Sequence, residues 1–431
     1  MSNQLSNKLT GGLDQDSDSR YVAETDWRLA LNIRGGIAYA GKAGIVTNVK
    51  GNTEIQYNLP AGTNKCIGAY SDVQANTVIY FIYNSNGNHQ ILRYFIDGQP
   101  KIQLQLQYDF GWTDETNITG IELINGRLLY WNDPKPRKIN IEKARYILPD
   151  GTQKVKEWSL IVPKTISNLT SPYELYFRDE NGTLIFGSVF DPAAYANRDE
   201  FIQAIAVALN LVSSQSPVTA EACDCSLKLT EKVGGTVWTI ESNNPTIVIP
   251  TNWYGLTITD RIVDRAKYPP LYEPIGEYQQ DDNYLYNYVK NKVFQFRLQY
   301  RYDDFENSAL GVISQIPIDN LQCDGTNNPD KNYIDVDFND PALLDQLTYC
   351  ILTDVKVLAR EHSISTLPND IGRNWKEIIQ LSPCEFLDYN GTDWVASYNF
   401  YNDIVSNTVA DADVAKQYDD VPLSAEENIL V

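Results

Sequence analysis

The sequence predicts a mainly β protein, on three observations. The first is composition: 28 Tyr, 8 Trp and 13 Phe stand beside 25 Gly and 20 Pro in 431 residues. Aromatic side chains favour strands, whereas Gly and Pro punctuate turns. The second is patterning, because most apolar stretches are short and either continuous or alternating with period two. The third is turn chemistry, with Asn125-Gly126, Asn181-Gly182 and Asn390-Gly391 each set between two such stretches as hairpin signals. The expected architecture is an irregular propeller-like β domain over residues 1–165, a small inserted α+β domain over 166–258, and immunoglobulin- or fibronectin-like β-sandwich segments over 259–320 and 321–431.

Taken in order, the chain opens with a polar lead and then Asp26-Trp27-Arg28-Leu29-Ala30-Leu31-Asn32-Ile33-Arg34. Thr77 to Tyr83 is a β-branched and aromatic run that suits a strand covered on both faces, and Gln90 to Ile96 is its hairpin partner. Ile118 to Ile124, Arg127 to Trp131 and Arg137 to Ile141 form a second small antiparallel unit about 40 residues later, a spacing found between propeller blades. Tyr173 to Phe177 and Thr183 to Val189 make another hairpin. Phe201, Ile202, Ile205, Leu209 and Val212 recur at helical spacing, with Asp199 and Glu200 in the first turn where the helix dipole favours them. Strands at Ser226 to Thr230 and Thr236 to Glu241 complete the insertion.

Pro269, Pro270 and Pro274 then read as a rigid linker. From Val293 to Tyr302 the residues Phe294, Phe296, Leu298, Tyr300 and Tyr302 alternate with Gln295, Arg297, Gln299 and Arg301, the pattern of a half-buried strand. Further strands are expected at Ser308 to Ser314, Tyr333 to Phe338, Thr353 to Arg360, Glu385 to Tyr389 and Trp394 to Phe400.

Charge and chemistry exclude several functions. With 56 acidic and 35 basic side chains the net charge is −21, which argues against a nucleic-acid binder of the basic-patch type. No apolar run is long enough to span a membrane, and the first ten residues lack the apolar core of a secretory signal. The six cysteines suit reduced thiols, and with two histidines no zinc spacing is recognisable. Nucleophile motifs are absent, and His89 and His362 read as surface or strand-end residues. Acidic pairs at Asp281-Asp282, Asp303-Asp304 and Asp419-Asp420 raise glycosidase or calcium chemistry, but neighbours on a strand face opposite ways. Asp14, Asp16 and Asp18 alternate as in a calcium loop without its glycine. Asn117, Asn168, Asn181 and Asn390 head Asn-x-Thr triplets read as turn chemistry. The one basic cluster, Lys135, Arg137, Lys138, Lys143 and Arg145, fits a strand whose alternate residues are solvated better than a nucleic-acid contact. No catalytic, cofactor-binding or metal-binding residue is assigned, and no cofactor is expected.

Certain stretches carry a resemblance. Gly11-Gly12-Leu13-Asp14 with Asp26 to Arg34, Ile118 to Glu122 through Asn125-Gly126-Arg127-Leu128-Leu129-Tyr130-Trp131 to Pro136-Arg137-Lys138-Ile139-Asn140, Phe294 to Arg297 with Tyr300-Arg301-Tyr302-Asp303-Asp304 and Ser308, and Asp420-Val421-Pro422-Leu423 with Ala425 occur in that order. Together they resemble tail proteins of short-tailed bacteriophages, especially crAss-like phages, known as stabilization, nozzle or muzzle proteins. The resemblance covers about half the chain and leaves 170–250 unmatched. It implies a propeller-like domain with appended sandwiches, assembled as a ring, most often a hexamer, at the distal end of the tail. It also implies contacts with a hub, adaptor rings or fibres, and DNA passing through without sequence-specific binding. The location it implies is the virion, after synthesis in the bacterial host cytoplasm. Family members usually run on past the last of these landmarks, which implies an N-terminal portion of a longer chain; a C-terminal strand docked on a sheet is the simpler account of Ile429-Leu430-Val431.

The expected function is therefore a non-enzymatic tail component that forms the DNA exit channel and helps retain and then release the genome. A negative wall suits such a channel, since it does not hold phosphate. The alternative is a propeller-type glycan-binding protein or polysaccharide hydrolase acting on the host surface, which needs carboxylates and exposed aromatics in one concave site. A third class, a secreted sandwich protein, lacks the expected signal.

Overall fold

A computed structural model describes residues 57–96, 102–144, 155–179, 181–211, 216–233, 238–253, 259–264, 267–290, 292–317, 331–349, 351–363, 375–403 and 407–408, with short pieces between 14 and 55. The chain divides into two compact units, Met1–Asn58 and Leu59–Val431. In the first, Ile33–Ile37 pairs antiparallel with Ala43–Asn48. The landmark residues before Ile33 lie largely outside the described residues, as do 420–425.

The second unit is built from antiparallel sheets, so the molecule is mainly β. Asn64–Asp72, Thr77–Asn84, Gln90–Phe95 and Ile102–Gln107 form a four-stranded meander, and Thr119–Ile124, Leu128–Asn132 and Pro136–Asn140 a three-stranded one. Their hairpins follow local chemistry. Asn125 and Gly126 both take the left-handed conformation (φ 53° and 65°), which a type I′ turn requires at its two central positions. Gly68 sits at a register shift where a Cβ would lie 2.7 Å from Ile118 Cβ, so only glycine lets the two segments approach. The two meanders share a core in which Phe81 packs on Trp131 (5.7 Å) and Trp112 stacks on Phe110 (4.3 Å).

The insertion has its own apolar core around the helix Arg198–Leu211, whose Phe201, Ile202, Ile205 and Leu209 are buried as their spacing predicts. Two sheets surround them: Val218–Cys223, Ser226–Glu231, Glu157–Ile161 and Ile247–Pro250 in one, and Leu184–Phe190, Tyr173–Asp179 and Trp238–Ser242 in the other. The remaining strands form two four-stranded sheets. One runs Ile275–Gln279, Tyr333–Asp337, Trp394–Phe400 and Leu387–Tyr389, the other Lys292–Tyr302, Leu352–Ser363, Lys376–Leu381 and Asn407–Thr408. Phe294 and Phe296 of the second meet Phe400 of the first edge to face at 4.9 and 5.3 Å. The core that includes these rings continues without a break to Phe81 and Trp131 of the meanders.

One expectation is refined and three are corrected. Lys292–Tyr302 buries its apolar face as expected, while on the polar face Gln295, Gln299 and Arg301 are half-buried and Arg297 is buried with its guanidinium against the Trp375 ring (5.5 Å). Pro269, Pro270 and Pro274 are buried, so this segment is packed rather than a free linker. Ser308 to Ser314 lies along the edge of Lys292–Tyr302 without forming a strand. Its Ser308 and Ser314 hydroxyls accept the Tyr300 and Phe296 amides (3.0 and 2.8 Å), side chains standing in for ladder carbonyls. Glu385 to Tyr389 is strand only from Leu387; Pro383–Phe386 is a helical turn, nucleated by Pro383 and by the Glu385 carboxylate accepting the Ser382 amide (2.7 Å).

Candidate functional site

The strand Pro136–Asn140 carries the basic cluster, and all of its residues after Pro136 are buried. Burying an unpaired cation costs several kcal/mol, so each must find a partner within the fold. Arg137 donates through Nε to Asp133 (3.1 Å) and through one terminal nitrogen to Asp260 (3.1 Å) and Asp264, both in or beside the short helix Asp260–Val263. Asp133 is fully buried and also accepts the indole N–H groups of Trp112 (2.6 Å) and Trp131 (3.1 Å). Burial opposes the charge on Arg137, yet the surrounding carboxylates, Asp133 first, outweigh it and push the guanidinium up.

Lys138 points into the other end of the junction. Its Nζ contacts Asp304 (2.5 Å) and Glu306, and the three side chains are 2%, 3% and 1% exposed. Lys143 reaches Asp303 (3.3 Å), which also accepts from the Asn140 amide (3.3 Å). Lys267 is buried alongside, donating to the Ile262 carbonyl (3.1 Å); burial, with like charge from Lys138, brings its ammonium down to about 8 against the pull of nearby acids. The expected solvated strand is thus overturned for Arg137 and Lys138. Lys135 is exposed, and Arg145 lies outside the described residues. The pair Asp303-Asp304 lies in the turn after Tyr302 rather than on a strand, and it divides one acid to Lys143 and one to Lys138. Asp260, Asp264, Lys267 and Glu306 were not legible as their partners, since no local spacing links positions so far apart; Asp133, four residues before Arg137, lay within local reach and was missed.

The other singled-out residues lie elsewhere. His89 stands at a strand end as expected but is buried, its ring between Tyr83 and Trp112. Its Nδ1 accepts the Asn84 amide (3.0 Å) and its Nε2 faces Asp109 (3.3 Å); burial first, against the pull of Asp109, holds the imidazole below its usual value. His362 pairs through its backbone with Val293 in the strand Leu352–Ser363. Asp281 accepts from Tyr401 (2.9 Å) and heads a loop that turns Leu285, Tyr286 and Tyr288 outward, with Leu285 88% exposed. Glu277, Asp335 and Asp337 lie on adjacent strands. Burial, then the neighbouring acids, raises Asp335, and burial also raises Asp337. Asn181 and Asn390 sit in turns: the Asn181 amide donates to Asp179, and Asn390 Oδ1 accepts the Thr392 and Asp393 amides. Asp14 accepts from Ser17 and Asp18 pairs with Arg20. Among the described residues no three His, Cys, Asp or Glu gather as a metal site would require. Asp419-Asp420 lies outside them.

A cleft of about 750 Å³ opens by the helix Arg198–Leu211, lined by Lys164, Ser171, Tyr195, Asn197 and Arg198 among others. The helix start beside it is already capped, since Asn197 accepts the Glu200 amide (2.9 Å) and Glu200 the Ala196 amide (3.1 Å). Cys225 of the insertion is bonded to Cys384, against the expectation of reduced thiols, with their Cα atoms 5.6 Å apart. Among the described residues no helix is long and apolar enough to cross a membrane. No protein-family model matches the chain, and no curated protein matches it either. What the geometry brings together is a buried ionic junction: three sequence segments locked by opposed charges.

Proposed function

We propose that this chain is a structural, non-enzymatic component of a phage tail, part of the distal DNA exit channel that retains and then releases the genome. One observation carries the reading. Two stretches behind the resemblance, 125–140 and 294–308, meet in the buried ionic junction, where Arg127 donates to the Asp303 carbonyl and Lys138 contacts Asp304 and Glu306. Residues that looked like scattered landmarks make up one structural unit. The junction also takes Arg137, Lys138 and Lys143 out of any role on phosphate. The chain's net charge of −21 favours passage of DNA over its retention on a wall. Propeller-like meanders, sandwiched sheets and a six-fold ring contacting hub, adaptor or fibre proteins complete the reading. Quantitative peptide mapping of purified virions tests it: about six or twelve copies per particle are expected, and absence from particles overturns it.

The glycan-binding alternative draws on one feature, the outward Leu285, Tyr286 and Tyr288 beside Asp281 and Asp282. Retention of the chain on immobilised host polysaccharide, lost on Tyr286→Ala, would favour it.

A further inference from the structure

We propose that Lys138 and Asp304 close a self-catalysed isopeptide bond, with Glu306 carrying the proton. Three features of the junction meet the requirements of amide formation between side chains. Nucleophile and acceptor are pre-positioned, Lys138 Nζ lying 2.5 Å from Asp304 Oδ2 with both side chains at most 3% exposed. Holding reactants in contact replaces a bimolecular encounter with a unimolecular step, and the exclusion of water favours condensation over hydrolysis.

The second feature is a donor for the developing oxyanion. Asp304 Oδ1 accepts the backbone N–H of Glu306 at 3.0 Å, so negative charge arising on that oxygen during attack is stabilised by a fixed dipole. The third is a proton carrier. Glu306 touches Lys138 Nζ through Oε2, while its Oε1 is buried with no hydrogen-bond partner. A buried oxygen left bare is costly to keep ionised, so this carboxyl is suited to take up a proton and pass it on.

The step balances. A proton moves from the Lys138 ammonium to the adjacent Asp304 Oδ2, leaving a neutral amine facing a carboxylic acid. Nζ attacks Asp304 Cγ to give a tetrahedral intermediate whose Oδ1 charge rests on the Glu306 N–H. Glu306 takes the second proton from nitrogen and delivers it to Oδ2, which leaves as water. The sum is one ammonium and one carboxylate giving one amide and one water, with no oxidant, reductant or cofactor. Lys267, buried nearby, keeps a second amine beside the site. The product ties the sheet Thr119–Asn140 covalently to the turn that follows Lys292–Tyr302. Load on this part of the chain would then pass through a covalent bond.

Mass spectrometry of the reduced full chain tests this independently of any role in a tail. The expected result is a mass one water below that of the sequence, and a branched tryptic peptide joining Lys138–Lys143 to Tyr302–Lys331, with fragment ions placing the link on Asp304. The full sequence mass, or a lost water located within a linear peptide, overturns the proposal. Glu306→Gln keeps the shape of the side chain but cannot carry the proton, and it is expected to fold and retain full mass. If Glu306→Gln cross-links as completely as the parent, the role of Glu306 is wrong. Lys138→Arg removes the nucleophile and is likewise expected to retain full mass; should either variant fail to fold, the parent mass still decides the central claim.

Discussion

Arg127 lays its guanidinium over the ring of Phe305, 4.9 Å from the centroid, and donates to the carbonyl of Asp303 (2.9 Å). Phe305 holds a left-handed backbone (φ 67°) that a bulky residue rarely adopts, and Arg301 approaches the same ring (5.7 Å). Two cations thus hold the turn that delivers Asp303, Asp304 and Glu306 to the junction. Phe305→Ala keeps the backbone cost and loses both contacts. It should lower stability by about 1 kcal/mol, read as a shift in the midpoint of chemical denaturation.

Arg137 joins three acids, two of them on or beside Asp260–Val263. Arg137→Met leaves Asp133 buried beside two tryptophans with no counter-charge, and should cost about 3–5 kcal/mol. Arg137→Lys should recover only part of this, because one ammonium cannot meet carboxylates lying in different directions. Equilibrium unfolding of the two variants separates the outcomes.

Asp335 is raised above 3.8 by burial, then by Asp337 and Glu277, and its Oδ1 has no partner. A carboxyl raised in the folded state adds stability below its unfolded value and loses it as pH rises through the folded one. Asp335→Asn should therefore melt higher than the parent at pH 7, and the advantage should vanish as pH falls to 3.8. A variant that melts lower at neutral pH would contradict this.

His89 behaves in the opposite sense. Its folded value lies below 6.5, so its stabilisation is present above that pH and is lost as pH falls further. Protonation also fills the Nδ1 lone pair that accepts the Asn84 amide. His89→Gln does not titrate, and its melting temperature should fall less steeply than the parent's as the solution is taken below pH 6.5.

The Cys225–Cys384 bond spans 159 residues and ties the insertion to the helical turn Pro383–Phe386. Cys384→Ser should lower stability by about 2–4 kcal/mol, chiefly by freeing the unfolded chain. Adding reductant to the parent should give a similar loss, measured in the same denaturation experiment.

Local structure was legible where local chemistry decides it. The Asn125-Gly126 turn, the helix over Arg198–Leu211 and the strand Trp394–Phe400 all follow from backbone preference and periodicity within a few residues. The reading failed where a distant partner decided the outcome. The strand Lys292–Tyr302 looks half-solvated because its alternate residues are polar, and only Trp375 shows that Arg297 is covered. The expected strand at Glu385 began as a helical turn because Ser382, Pro383 and Glu385 cooperate locally, a signal present in the sequence but outweighed there by the apolar run.

The sequence by itself determined the β class, the hairpins, the acidic balance and the presence of a cluster of cations, since these depend on composition and on neighbours along the chain. Only the tertiary structure decided what those cations do. Arg137 and Lys138 have the same neighbours on paper whether they face water or carboxylates. Apart from Asp133, four positions before Arg137, their acids are Asp260, Asp264, Asp304 and Glu306, more than a hundred positions away. Electrostatic pairing in a buried site depends on distance in space and on the loss of water around the charges, and neither is encoded in spacing along the chain.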